Sequence, residues 1–450
     1  MSKLEFQAKK VMVFGWARSG KAAAQRLLDL GATVTVVNQS AFPKDAEYDK
    51  LQAAGVTFIE NDAADNLDDS FDYLVKNPGI NYDHALIKKA ESLNIPILTE
   101  VAVALSTFTG RLITVTGSNG KTTTVSLLSE MLKADGVKVT TAGNIGTPVC
   151  EVVGNLTSED TLLLELSSFQ LLGIPFIQPD IAVVTNIFSN HLDYHKTREN
   201  YVAAKFRITK NQTADQYLVL NADGADTPSF AAKTKAQVRE FSRTQEGNYA
   251  QVRQQSLWVS DEAIMPLSAI KLVGPQNLEN IMAATSAAML AGVSTKAMVE
   301  VLKTFGGVKH RLQYLFEKDG VKYYNDSKAT DIEATQAALN SFDQPTIWLA
   351  GGLDRGDDVM RLIPNLKHVK AVVAFGQTQQ KIVALARACH KPVITAIDVK
   401  RAVPIALKLA EPGDVVLLSP AAASWDQYDN FEVRGQEFID TLEAELAQKG

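Results

Sequence analysis

Residues 112–124 read LITVTGSNGKTTT, an apolar run that opens into a glycine loop and then into a lysine followed by three threonines. The run predicts a buried strand and the residues after the loop predict a helix. A loop of this kind aims backbone N–H groups at phosphate oxygens, and the helix N-terminus adds its dipole. Gly117, Ser118, Asn119 and Gly120 form the loop, Lys121 can reach outer phosphates, the Thr122 hydroxyl suits Mg²⁺, and Thr123 lies in the same first turn. The full pattern would have glycine at position 115, where the chain has Val115, so this is the shortened form GSNGKT.

Working outward, a phosphate loop of this type needs a carboxylate on a neighbouring strand to hold the metal. TLLLELSSFQL supplies Glu165 at the end of an apolar run, and IAVVTNIFSNHLDYH leaves another strand to present Asn186, His191 and Asp193. Before this unit, VMVF at 11–14, TVTVV at 33–37, VTFI at 56–59 and YLV at 73–75 alternate with helical stretches, the pattern of βαβ units and a parallel sheet. After it, VKYYND, TIWLAGG, AVVAFG and DVVLLSP repeat that alternation from about residue 310. The expected fold is α/β with three domains: a Rossmann-like one at 1–99, a central P-loop one at 100–306 and a Rossmann-like C-terminal one at 307–450. Residues 224–272 are expected to be an antiparallel elaboration of the middle domain.

VMVFGWARSG imitates a dinucleotide fingerprint but departs from it. Gly15 and Gly20 are present, Ala17 replaces the middle glycine, and the strand at 33–37 ends in Asn38 where an acidic residue is wanted. Nicotinamide binding is thereby disfavoured, while a diphosphate in another pose is allowed, with NPGI at 77–80 as a second turn on the same sheet edge.

Composition narrows the class. The chain has 450 residues, 46% of them apolar, a formal net charge of −6 and no basic stripe, so nucleic acid is not an expected partner. Cys150 and Cys389 are too few and too far apart for a disulfide framework or a paired metal motif, and both read as buried small hydrophobes. No apolar run reaches the length of a membrane span and the start lacks a signal-peptide core, so the expected address is the cytoplasm, with no membrane partner.

In order along the chain, GSNGKTTT, ELSSFQL, NHLDYH, AAKFRI, GPQNLEN, KHR, DSKATD and LSPAAASWDQYDNF together resemble the Mur ligase family, with GWARSG and NPGI a looser match in the first domain. The resemblance implies an ATP-dependent amide ligase that activates a carboxylate as an acyl phosphate. The C-terminal motif resembles the branch that adds D-glutamate, which implies UDP-N-acetylmuramoyl-L-alanine and D-glutamate as partners, acting with a monomeric enzyme. By carry-over, ATP would be bound by the loop residues 117–123 together with Asn277, Arg311 and Asp326, and the catalytic set would be Lys121, Glu165, His191 and Lys205. Two Mg²⁺ sites are implied, drawing on Thr122, Glu165, His191 and a carbamylated Lys205. As a plain amine, Lys205 reads equally well as a helix-surface lysine. UDP-sugar contacts are implied at Gly15, Trp16, Asn38, Asn77, Gly79 and Asn144, and amino-acid contacts at Lys328, Thr330, Ser424 and Phe431. Gln276 stands where relatives often have histidine, which leaves the adenine contact open.

Three alternatives compete. A folylpolyglutamate synthase-like sibling would share the ATP machinery but not the extra N-terminal sheet. A P-loop protein coupling hydrolysis to motion would turn over ATP without an amino acid, and a nicotinamide oxidoreductase would rest on the imperfect first loop alone.

Overall fold

The computed structural model describes residues 4–188 and 191–448. The chain folds into two compact units, Met1–Ser268 with Glu279–Val301, and Ala269–Leu278 with Leu302–Gly450.

The first unit holds two sheets. One is built from β1 (Lys10–Phe14), β2 (Thr33–Asn38), β3 (Thr57–Glu60), β4 (Tyr73–Lys76) and β5 (Ile97–Leu98) in the order β3-β2-β1-β4-β5. Every pairing is parallel. Val11, Met12, Val13 and Phe14 are all buried, the continuous apolar run that a parallel sheet covered on both faces requires. The order reverses between β1 and β4, which opens a crevice at their carboxyl ends, where such sheets bind ligands. Phe14 stands in register with Lys76, so the turns that begin at Gly15 and at Asn77 are neighbours.

The second sheet contains β6 (Arg111–Thr116), β7 (Val139–Gly143), β8 (Thr161–Glu165), β9 (Ile181–Val184), β10 (Tyr217–Asn221), β11 (Gln237–Ser242), β12 (Ala250–Arg253), β13 (Ser256–Val259) and β14 (Glu262–Pro266). Its order is β14-β13-β12-β11-β10-β9-β6-β8-β7. Val115 is a fully buried residue inside β6, paired with Glu165 on one side and Val183 on the other, so the strand occupies the place where the longer loop pattern would begin. The expected antiparallel segment at 224–272 needs correction. β11 pairs parallel to β10 and β12 parallel to β11, and only β12, β13 and β14 run antiparallel. The helix Thr227–Lys233 provides the crossover that a parallel β10–β11 pair demands.

The two sheets share one core. Ala23 and Leu27 from the first helix, Val101 to Ala104 from the helix Glu100–Leu105, and Val149 and Val153 from the segment beyond β7 belong to a single buried cluster. Glu100 is buried in this seam, where its carboxylate accepts from the Val149 and Cys150 amides at 3.4 and 3.0 Å, and burial raises its carboxyl to about 7.

The second unit is a six-stranded sheet of β15 (Gln313–Lys318), β16 (Val321–Asn325), β17 (Thr346–Gly351), β18 (Val369–Phe375), β19 (Val393–Thr395) and β20 (Val415–Leu418). The order is β15-β16-β20-β17-β18-β19, parallel except for the β15–β16 hairpin, with apolar clusters on both faces. Cys150 is buried as expected, but Cys389, which caps the end of the helix Gln379–Ala388, is only half-buried against the core.

Candidate active site

The central sheet brings its site residues to one edge. Between β6 and the helix Lys121–Ala134, Gly120 adopts φ of +80°, a conformation that a side chain strains, and a Cβ there would collide with the Asn280 amide. The amide of Asn119 donates to Asn186 Oδ1 at 2.9 Å and the Thr185 hydroxyl donates to Asn119 O at 2.6 Å. Asn186 thus shapes the loop from the end of β9. Lys121 Nζ folds back onto Gly117 O and Ser118 O, both at 2.8 Å, where it caps the loop's own carbonyls.

Glu165 ends β8 with 1% of its surface exposed. Its Oε1 accepts from Asn144 Nδ2 at 2.7 Å, and Asn144 follows directly on β7, so one hydrogen bond ties two strand ends together. Its Oε2 is buried with no hydrogen-bond partner. An unpaired buried carboxylate oxygen is costly in an apolar interior, and it is the donor type that a divalent cation accepts.

Lys205 lies on the helix Arg198–Phe206 and is 2% exposed, so the helix-surface reading of this lysine is overturned. Tyr201, one turn earlier, shares its face: Lys205 Nζ sits 4.7 Å from that ring and donates to Gly117 O at 2.8 Å. Burial, together with the nearby Lys121 cation, pushes the Lys205 ammonium well below the ordinary lysine range. The Tyr201 and Ser118 hydroxyls lie 2.8 Å apart, so helix and loop are fastened twice. His191, exposed and at φ of +53°, precedes the short helix Leu192–His195 and stands against Phe169 with ring centroids 5.0 Å apart. Asn190 of the NHLDYH motif lies outside the described residues.

At the crevice of the first sheet, Gly15 adopts φ of +100°, and a Cβ there would stand 2.7 Å from Asn77 Nδ2. Asn38 accepts from the Trp16 amide at 3.2 Å, and the Ser19 hydroxyl donates to Asn77 Oδ1. Trp16 packs edge-on against Phe42 and Phe58, with its indole Nε1 buried and unpartnered. Gly79 has open space around it. Arg18 NH1 donates to Gly146 O at 2.6 Å, which links this crevice to the turn that carries Asn144.

In the second unit, the carboxylate of Asp326 is held from two sides, by the Leu312 amide and by the Ser419 hydroxyl, each at 2.9 Å, and burial raises its carboxyl to about 7. Arg311, next to Leu312, keeps its Nε buried without a partner. Lys328 Nζ lies 5.1 Å from the Phe431 ring, Ser424 is buried, and Thr330 O accepts from Arg355. Asn277 Nδ2 donates to Val273 O at 2.7 Å, and Gln276 turns to the Ser341 hydroxyl at 2.9 Å.

The Mur ligase middle domain matches residues 115–288, and the Mur ligase glutamate ligase domain matches residues 310–422. The UDP-N-acetylmuramoylalanine--D-glutamate ligase of Leuconostoc citreum is 68% identical over 98% of this chain and 99% of its own. The chain belongs to the Mur ligase family. The corresponding ligase of Oenococcus oeni is 50% identical over 97% of this chain and 98% of its own. Among solved structures, the MurF ligase of Thermotoga maritima in complex with ADP superposes with a TM-score of 0.59 at 20% identity, over 99% of this chain and 96% of that one, a likeness of fold.

The donors of this Mur ligase fit a divalent cation at Glu165, whose orphaned oxygen is the buried acceptor such an ion would satisfy. Among the described residues no three His, Cys, Asp or Glu side chains gather into a metal cluster. Several residues that hold the site together escaped the sequence reading. Tyr201 was legible only as the residue four before Lys205, and Asn280 only as the last residue of the GPQNLEN motif. Arg434, wholly buried, donates to Ser327 O at 2.8 Å, Ala422 O at 3.1 Å and Ala423 O at 3.3 Å, and so binds the DSKATD loop to the segment before Ser424. It follows Phe431 of the C-terminal motif by three residues, in the first turn of the helix Phe431–Gln448.

Proposed function

We propose that this enzyme adds D-glutamate to UDP-N-acetylmuramoyl-L-alanine in peptidoglycan precursor synthesis, releasing ADP and phosphate. The observation that carries the reading is the orphaned oxygen of Glu165 at the same sheet edge as the glycine loop and the buried Lys205. The full-length likeness to the D-glutamate ligases supports the choice of amino acid.

The substrate carboxylate takes the γ-phosphoryl group of ATP, the D-glutamate amine attacks the resulting acyl phosphate, and phosphate leaves as the amide forms. Residues 117–123 hold the phosphates, and Lys121 leaves its resting carbonyls to follow the migrating charge. When bound, Mg²⁺ offsets repulsion between the carboxylate and the γ-phosphate. One ion would be held by Thr122 and Glu165, and a second by His191 and Lys205 in its carbamate form. Carbamylation needs a neutral amine, and the depressed ammonium of Lys205 supplies one.

The same reading assigns residues 1–99 to the UDP-sugar, 100–306 to ATP and 307–450 to the amino acid. Gly15, Trp16, Asn38, Asn77, Gly79 and Asn144 face the nucleotide sugar, while Asn277, Arg311 and Asp326 serve ATP. Lys328, Thr330, Ser424 and Phe431 receive D-glutamate, and the enzyme works as a cytoplasmic monomer. The test is ADP release with each substrate omitted in turn: the reading expects turnover only with all three, and rapid hydrolysis without D-glutamate or the nucleotide sugar would overturn it.

A further inference from the structure

Lys76 is the last residue of β4 and is 1% exposed, one of the largest fully buried side chains in the protein. Its ammonium donates to three carbonyls of the turn that follows it: Asn77 O at 3.3 Å, Pro78 O at 3.1 Å and Ile80 O at 2.8 Å. The fourth contact crosses to the short helix Leu192–His195 beyond β9, where Tyr194 Oη lies 3.1 Å away. That hydroxyl also reaches Ile80 O at 3.0 Å and Pro78 O at 3.3 Å. The Tyr82 ring closes over Nζ at 4.8 Å.

No carboxylate contributes to this setting, and burial alone lowers the ammonium from 10.5 to about 8. Burying a cation without a counter-ion costs stability, and an apolar side chain of similar length would avoid that cost. What a methionine cannot do is gather three carbonyls of the half-buried turn onto one point.

Tyr194 extends the connection. Its ring packs edge-on against Phe169 with centroids 4.5 Å apart, and His191 stands against the same Phe169 ring. A continuous path therefore runs from the 77–80 turn through Lys76, Tyr194 and Phe169 to His191.

We propose that Lys76 and Tyr194 are positioning residues that set the Asn77–Ile80 turn against the His191 segment, so that nucleotide-sugar affinity and the placement of His191 depend on one latch. The inference rests on the reading that this turn belongs to the nucleotide-sugar site. Lys76 converges the turn's carbonyls, while the Asn77 amide donates to Phe14 O and the Ile80 amide to Asn77 O, so the turn offers the crevice its Gly79 amide and the Asn77 side chain beside Gly15. Tyr194 supplies the only side-chain hydroxyl on that cation among its described hydrogen bonds, so a shift of the turn is felt one residue pair away from His191.

The experiment measures calorimetric binding of UDP-N-acetylmuramoyl-L-alanine, the KM for each substrate and thermal unfolding, on the full chain and on Lys76→Met, Tyr194→Phe and the double variant. Lys76→Met is expected to keep its thermal midpoint, because a buried charge is removed, yet to bind the nucleotide sugar about tenfold more weakly. Its KM for ATP should stay within about twofold, and kcat should fall as the His191 segment loosens. Tyr194→Phe should weaken binding by roughly threefold, and the double variant should be no worse than Lys76→Met, since both act on one latch. Should Lys76→Met fail to fold, Tyr194→Phe, which keeps the ring and loses only the hydroxyl, carries the same comparison. A parent enzyme that binds no nucleotide sugar would overturn the reading of the crevice. A parent that binds it, with variants that bind it equally well, would overturn the latch alone.

Discussion

The two sheets of the first unit each end in a glycine turn beside a buried lysine, but the lysines are treated differently. Lys76 is surrounded by turn carbonyls and a phenol, and its ammonium is the group that fits them. Lys205 has one close carbonyl, that of Gly117, and shares its neighbourhood with the Lys121 cation, so its environment works against a second positive charge. Sheet topology creates a crevice in both places, and the local acceptors decide whether the lysine there stays a cation that shapes a turn or becomes a neutral amine open to chemistry.

The largest expected effect sharpens the contrast at the phosphate loop. Lys121→Ala removes both the charge that follows the phosphoryl group and the neighbour that disfavours a charged Lys205, and turnover should fall on the order of 10²-fold or more. Near-normal kcat in this variant would break the assignment of the loop. Next in size, Lys205→Ala should fold and lose roughly 10- to 100-fold in activity through weaker metal binding. Added short-chain carboxylates should restore part of it by occupying the vacated oxygen positions, and full activity in bicarbonate-depleted buffer would return Lys205 to a packing role.

The smallest effect concerns stability against pH. Lys76 titrates near 8 in the fold and near 10.5 when unfolded, so between those values the unfolded chain binds more protons. Its contribution is fully present above pH 10.5 and is lost as pH falls through about 8. Urea-unfolding free energies should therefore rise with pH more steeply in the parent than in Lys76→Met, and parallel slopes would show that the ammonium is not buried as described.

How much of this was legible follows from how local each signal is. The glycine loop, Glu165 at a strand end and the alternating strands are read within a dozen residues, and β6, β8 and the helix at Lys121 lie where the sequence places them. The same holds for the departure at position 115, since Val115 is simply strand. Lys76 and Tyr194 are 118 residues apart, and a lysine before Asn-Pro-Gly carries no mark of burial until Tyr194 and Tyr82 close over it. Lys205 likewise sits on a helix whose buried face is set by the loop at Gly117, 88 residues earlier. The parallel pairing of β11 was hidden because its residues, QVREFS, are mostly polar, with only Val238 and Phe241 apolar, and so lack the continuous apolar run of a buried parallel strand.

The central claim is ligation through an acyl phosphate, and the most direct measurement follows the carboxylate oxygen. UDP-N-acetylmuramoyl-L-alanine labelled with heavy oxygen in its carboxylate is turned over with ATP and D-glutamate, and the released phosphate is examined by mass spectrometry. Transfer of one labelled oxygen to phosphate for each amide formed is the predicted result; unlabelled phosphate, released whether or not amide appears, would contradict the account.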